Sequence, residues 1–172
     1  ELCPKLGICI PVGKDSMSMK TVWEENKQIK RNISPLSVII SAFAPVSNIR
    51  STLTPQLQVS SGDTSLLLLD LGYGKNRLGA SALAQTFRRL EGVVPDLDDP
   101  QDLISLFDFV CCCRQEGLLL AYHDRSDGGL FSTVVEMCFA SHCGVDLQLE
   151  ELPGTNAVIN SLFAEEIGIV IQ

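Results

Sequence analysis

An α/β (α+β layer) fold is expected from Ser65 onward, preceded by the trailing strands of a different domain. Three observations predict it. After Ser65, apolar runs of strand length alternate with segments of helical spacing. Asn48 to Asp63 contains Pro55 and Ser60-Ser61-Gly62 and reads as a linker or domain crossing. Up to Val46, the apolar segments are too few to pair into a sheet of their own. The expected division is therefore 1–60, the end of one domain plus linker, and 61–172, a second domain truncated at its C-terminal side.

In chain order, Leu6 to Val12 (LGICIPV) reads as a short buried strand and Gly13 to Lys20 as a loop. Thr21 to Ser34 is polar and charged around Trp23, and suits an exposed strand and turn or a mobile loop. Ser37 to Val46 (SVIISAFAPV) is rich in β-branched residues and predicts a strand. Leu66 to Leu71 (LLLLDL), bounded by Gly72 and Gly74, reads as a strand covered on both faces. Leu83, Phe87 and Leu90 have helical spacing within Gly79 to Leu90. Pro100 to Gln115 predicts a helix with Asp98 or Asp99 as N-cap and proline in its first turn. Leu118 to Tyr122 predicts a strand, and Leu130 to Ser141 a helix with Leu130, Val134, Met137 and Cys138 along one stripe. Val145 to Leu149, Asn156 to Phe163 and Ile167 to Ile171 follow as strand, short helix and strand.

Composition narrows the function. The 172 residues are 45% hydrophobic and 20% charged, an ordinary globular balance. A net charge of -8 disfavours nucleic acid and anionic membranes as partners. No apolar run approaches the roughly 20 residues needed to cross a bilayer, and no leader is expected after Glu1, so the reading is a cytoplasmic protein. Any phosphate must be held by a local device: a metal ion, a helix start or a few placed basic groups. Seven cysteines, three of them consecutive at Cys111 to Cys113, make a poor disulfide framework and fit a reducing compartment. Most are expected to be small core hydrophobes. They form no zinc pattern with His123 and His142.

The most informative loop is His123-Asp124-Arg125-Ser126-Asp127-Gly128-Gly129, between an apolar strand and a helix. Ligands of open α/β sheets gather at such strand ends. Asp124 is a hard oxygen ligand suited to Mg²⁺, Ser126 or Asp127 can cap the helix, and the helix start favours an anion. An aspartate-rich turn with no ligand stands beside this reading, and His123 fits a packing residue better than a general base. A second loop, Gly13-Lys14-Asp15-Ser16-Met17-Ser18-Met19-Lys20, is not a P-loop, because Gly7 is one residue too far away and Asp15 replaces the metal-binding hydroxyl. Its lysines and serines could still meet a phosphate, against the alternative of an ordinary edge segment. Nothing resembles a nucleophilic triad.

The ordered set GKDSMSMKT, SPLSVIISAFAPV, TLTPQL, RLGASALAQTF, AYHDRSDGGL and EMCFASHCGVD closely resembles the second half of the synthetase region in the phosphoribosylformylglycinamidine synthase family, large single-chain type. The resemblance implies an aminoimidazole-ribonucleotide-synthetase-like C-terminal domain behind the end of the matching N-terminal domain. It implies part of an ATP-dependent carbon–nitrogen ligase of purine biosynthesis, with glutamine as amide donor and formylglycinamide ribonucleotide as substrate. Asp124 matches a Mg²⁺ ligand and Ser126 a nucleotide contact, at a site expected to hold a structural ADP. Gly13 and Ser16 match positions near substrate or phosphate, whereas Lys14 stands where smaller relatives have a metal-binding asparagine. The implied partners are the first synthetase half and the glutaminase domain of the same polypeptide. The glycine-rich nucleotide loop, the catalytic histidine and the glutaminase triad have no counterpart here, so the piece is expected to be inactive alone. The alternatives are a related synthetase, of the aminoimidazole ribonucleotide or selenophosphate type, and a non-catalytic nucleotide-binding domain.

Overall fold

The computed structural model describes residues 2–14, 19–34, 37–149 and 157–172. The chain forms two compact units, Glu1–Ile49 and Arg50–Gln172. The boundary precedes the change-over expected at residue 60, because Leu57 is 8% exposed in the core of the second unit. Its backbone N–H donates to Ser141 Oγ, so the supposed linker is already part of that fold.

The first unit begins with one helical turn, α1 (Leu2–Lys5), and continues with β1 (Lys20–Glu25) and β2 (Gln28–Ile33). The strands pair antiparallel, with Glu25 opposite Gln28, so Asn26 and Lys27 form a two-residue turn. Both have positive φ, 54° and 61°, the geometry whose twist matches a hairpin. Of the two readings of Thr21 to Ser34, strand and turn is the one found.

Two expectations in this unit are overturned. Leu6 to Val12 is neither strand nor buried, and Ser37 to Val46 is irregular, with Ile39 91% and Phe43 96% exposed. A strand is held by its ladder, and among the described residues this unit has one ladder, the hairpin. Apolar, β-branched sequence without a partner strand stays unpaired.

The second unit contains β3 (Leu67–Asp70), α2 (Ala82–Thr86), α3 (Pro100–Gln115), β4 (Tyr122–Asp124), α4 (Gly129–Ser141), α5 (Ala157–Phe163) and β5 (Gly168–Ile171). Its sheet has the order β3-β5-β4, with both pairings antiparallel. β5 is therefore the central strand of the three, and all four of its residues are buried. β3 lies at an edge, which corrects its expected cover on both faces: Leu67 and Leu68 are exposed. Ala121, Leu130, Val134, Met137, Val170 and Leu57 make the core. The α4 stripe is as expected, with Cys138 packed against that core.

The helix at Pro100 forms as expected, with Asp99 accepting from the Gln101 N–H at 2.9 Å. It buries no residue, and Phe107 is 68% exposed. The helix expected over 79–90 shrinks to α2, capped by Ser81, while Val145 to Leu149 and Leu118 to Ala121 lie outside the strands. The cysteines correct a further expectation: all seven are free thiols, Cys9 and Cys112 are exposed, and the others are half-buried rather than core.

A buried ion pair ties the turn after β3 to the approach of β5. Glu166, 0% exposed, takes Arg77 in a bidentate grip, with Nε at 2.7 Å and a terminal nitrogen at 2.6 Å. The Arg77 N–H donates to the same carboxylate at 2.8 Å. A paired, fully bonded carboxylate is the form in which a buried acid is tolerated. Gly72 makes room for it: a Cβ there would lie 2.6 Å from Glu166 Cγ. Gly72→Ala is expected to cost about 1–3 kcal/mol by overpacking. Gly144→Ala, where an added Cβ meets nothing within 4 Å, should stay within about 0.5 kcal/mol of wild type. Urea denaturation midpoints of the two variants check the contrast.

Candidate functional site

β4 carries the central candidate to the sheet margin. Tyr122, His123 and Asp124 pair with Ile171, Val170 and Ile169, so the last β4 residue sits where strand gives way to loop. Asp124 is exposed there, and its Oδ1 accepts the Tyr122 hydroxyl at 2.6 Å. Burial first, then the hydrogen bond and charge of Asp124, push the Tyr122 phenol up, so it stays a neutral donor. His123, one residue away and on the other face of the strand, meets Glu136 of α4, Nε2 to Oε2 at 2.6 Å. That contact fits the packing reading.

Arg125 is the buried anchor of the loop, 6% exposed. Its Nε donates to the Glu166 carbonyl at 2.6 Å, and a terminal nitrogen reaches the Ile167 carbonyl at 3.2 Å and the Asp70 carboxylate. Its backbone N–H donates to the Gly168 carbonyl at 2.9 Å. One side chain thus fastens the loop to the start of β5 and the end of β3. Burial alone would push Asp70 up. The Arg125 hydrogen bond and charge, with N–H groups of Gly74 and Gly72, outweigh it and hold the carboxyl below its ordinary 3.8.

The helix start departs from expectation. Neither Ser126 nor Asp127 caps α4; the N-cap is Gly128, with φ of 84° and no side-chain cap. The positive backbone angle favours glycine at Gly128, and an added Cβ there would collide with the Ser132 side chain. The Gly128 N–H donates to Glu165 Oε1 at 2.8 Å, and the Gly129 N–H to the Ser126 carbonyl at 2.9 Å. The same Glu165 oxygen accepts the Ala82 N–H of α2 at 2.8 Å. An internal carboxylate therefore takes the place at the helix start that was expected to receive a phosphate. Ser126 and Asp127 are left exposed beside it.

Asp124 has the chemistry of a partial metal site. Its Oδ2 makes no hydrogen bond among the described residues, and the carboxylate is open to solvent. No three histidine, cysteine, aspartate or glutamate side chains converge as a metal cage among the described residues. One carboxylate with the remaining positions on water and phosphate oxygens suits Mg²⁺. The other nominated positions contribute less. Gly13 is exposed, and an added Cβ there would meet nothing within 4 Å, while Ser16 lies outside the described residues.

Sequence reasoning missed Tyr122, Glu165, Asp70 and the anchoring role of Arg125. The Tyr122–Asp124 pair had a legible signal, since residues two apart on a strand share a face. Glu165 had none, because its N–H partners lie 83 and 37 residues away in the chain.

The anchor has a pH signature. Asp70 titrates lower in the folded chain than unfolded, so its contribution is complete above the unfolded value and is lost as pH falls through the folded one. The stability gap between wild type and Asp70→Asn should be present at pH 7 and narrow as pH drops below 3.8, read from urea midpoints across that range.

Residues 63–171 match the family described as AIR synthase related protein, C-terminal domain, and residues 1–45 match the FGAR-AT PurM_N-like domain. The mixed helices and small antiparallel sheets of the second unit fit that C-terminal domain. No helix among the described residues is long and apolar enough to cross a membrane. AIR synthase related domains bind ATP, generally with magnesium, and serve ATP-dependent synthetases. With most of its length matched by the C-terminal domain model, the chain belongs to the AIR synthase related family and carries the domains of an ATP-dependent synthetase of the purine-biosynthetic type.

Proposed function

We propose that the chain is part of a phosphoribosylformylglycinamidine synthase of the large single-chain type, and that its loop at Asp124 holds a magnesium-bound nucleotide. The observation that carries the site reading is the exposed Asp124 carboxylate, with one oxygen anchored and the other unengaged, at the strand-to-helix turn of an ATP-synthetase-type domain. The enzyme would convert formylglycinamide ribonucleotide to its amidine with ATP and glutamine. The N-terminal match to an FGAR-AT-type domain favours this reading over other synthetases of the family.

In this reading Mg²⁺, when bound, would supply positive charge against the phosphates. Asp124 would hold the metal, and the exposed Ser126 hydroxyl would contact the nucleotide. Arg125 keeps the loop on the sheet through Glu166, Ile167 and Asp70, so both groups project from a fixed backbone. With the Gly128 N–H committed to Glu165, a phosphate here would depend on the metal held by Asp124 and on the Ser126 hydroxyl. The role proposed for the nucleotide here is structural. Its partners would be the first synthetase half and glutaminase domain of the same polypeptide, in the cytoplasm. Gly13 and Ser16 are proposed as substrate or phosphate contacts, by their match to the family motif.

Isothermal titration with Mg·ADP tests the site. Asp124→Ala should weaken binding by about 10-fold or more, as loss of a metal ligand does, and chelation of the metal should mimic the substitution. Equal affinity of both proteins would remove Asp124 from the site. For the reaction, the complete polypeptide supplied with ATP and ammonia should form the amidine from formylglycinamide ribonucleotide, seen by chromatography with phosphate release. A synthetase that leaves this substrate untouched while turning over another ribonucleotide would refute the assignment.

A further inference from the structure

We propose that Tyr122 is a positioning residue for the cation at Asp124: its hydroxyl occupies one carboxylate oxygen and presents the other to a magnesium-bound phosphate. The proposal rests on the nucleotide reading above. Tyr122 and Asp124 are two residues apart on β4, so their side chains leave the strand on the same face. The hydroxyl donates to Oδ1 at 2.6 Å, the short range of an O–H bond to an ionised carboxylate, while Oδ2 accepts nothing among the described residues.

The donor is itself well held. Tyr122 is half-buried and sits opposite Ile171 of the central strand, and its backbone N–H donates to the Thr54 carbonyl at 3.0 Å. A carboxylate with two free oxygens rotates and can grip a cation with both. With Oδ1 committed, Asp124 offers a single oxygen in a set direction. Monodentate binding suits a small, six-coordinate ion that keeps its waters and phosphate oxygens, whereas Ca²⁺ accepts bidentate carboxylates and looser geometry. Tyr122 would therefore tune both affinity and the preference for magnesium, as groups that orient a metal's ligands do.

Tyr122→Phe tests this, because it keeps the ring and removes the oxygen. Titrations of the whole chain with ADP are made with Mg²⁺, with Ca²⁺ and with chelator, for wild type, Tyr122→Phe and Asp124→Ala. The expected result is Mg·ADP affinity reduced about 10-fold or more in Tyr122→Phe, a lower magnesium-to-calcium preference, and metal-free ADP affinity unchanged. Wild-type affinity in Tyr122→Phe beside a loss in Asp124→Ala would overturn the positioning role and leave the nucleotide site standing. An equal loss with and without metal would reduce Tyr122 to a packing role and overturn the proposal. Failure of wild type to bind Mg·ADP would overturn both.

Discussion

Two adjacent carboxylates at the entrance to β5 hold the second unit together. Glu166 is buried against Arg77, under Gly72, while Glu165 accepts N–H groups at the starts of α2 and α4. The carbonyl of Glu166 then accepts Arg125, whose guanidinium also reaches Asp70. Elements far apart in the chain meet at this dipeptide. A buried carboxylate without its bonds would be costly, so each partner is required where it stands. The candidate site inherits this rigidity, because Asp124 and Ser126 flank the anchored Arg125.

The sheet order has a related consequence. β3 and β4 do not pair with each other; both pair with β5. Leu67 to Asp70 therefore finds its ladder partners only at Gly168 to Ile171. Long-range antiparallel closure of this kind costs chain entropy before any packing rewards it.

Elsewhere the molecule leaves apolar surface uncovered. Phe107 and Phe109 on α3, Leu67 and Leu68 on β3, and Ile39 and Phe43 in the first unit are all exposed. Regular patterns were legible on these segments, yet pattern alone does not provide the surface that would bury them. The α3 helix formed where its cap and proline dictated, and the run at Ser37 to Val46 did not form a strand, because a helix satisfies its own hydrogen bonds and a strand borrows them.

Local signals were accordingly read well and long-range ones poorly. Asp99 with Pro100, the Leu130 to Cys138 stripe and the strand-loop-helix frame of the Asp124 loop all follow from spacing and residue type, whereas Thr21 to Ser34 read equally as a hairpin or a loop. The sequence by itself determined the helices with strong caps, the family motifs and the position of Asp124 at a strand end. Only the tertiary structure decided that β5 is central, that Glu165 occupies the α4 start and that Arg125 reaches Asp70. Those outcomes depend on which distant groups can satisfy a buried charge or N–H, and one-dimensional spacing carries no record of that.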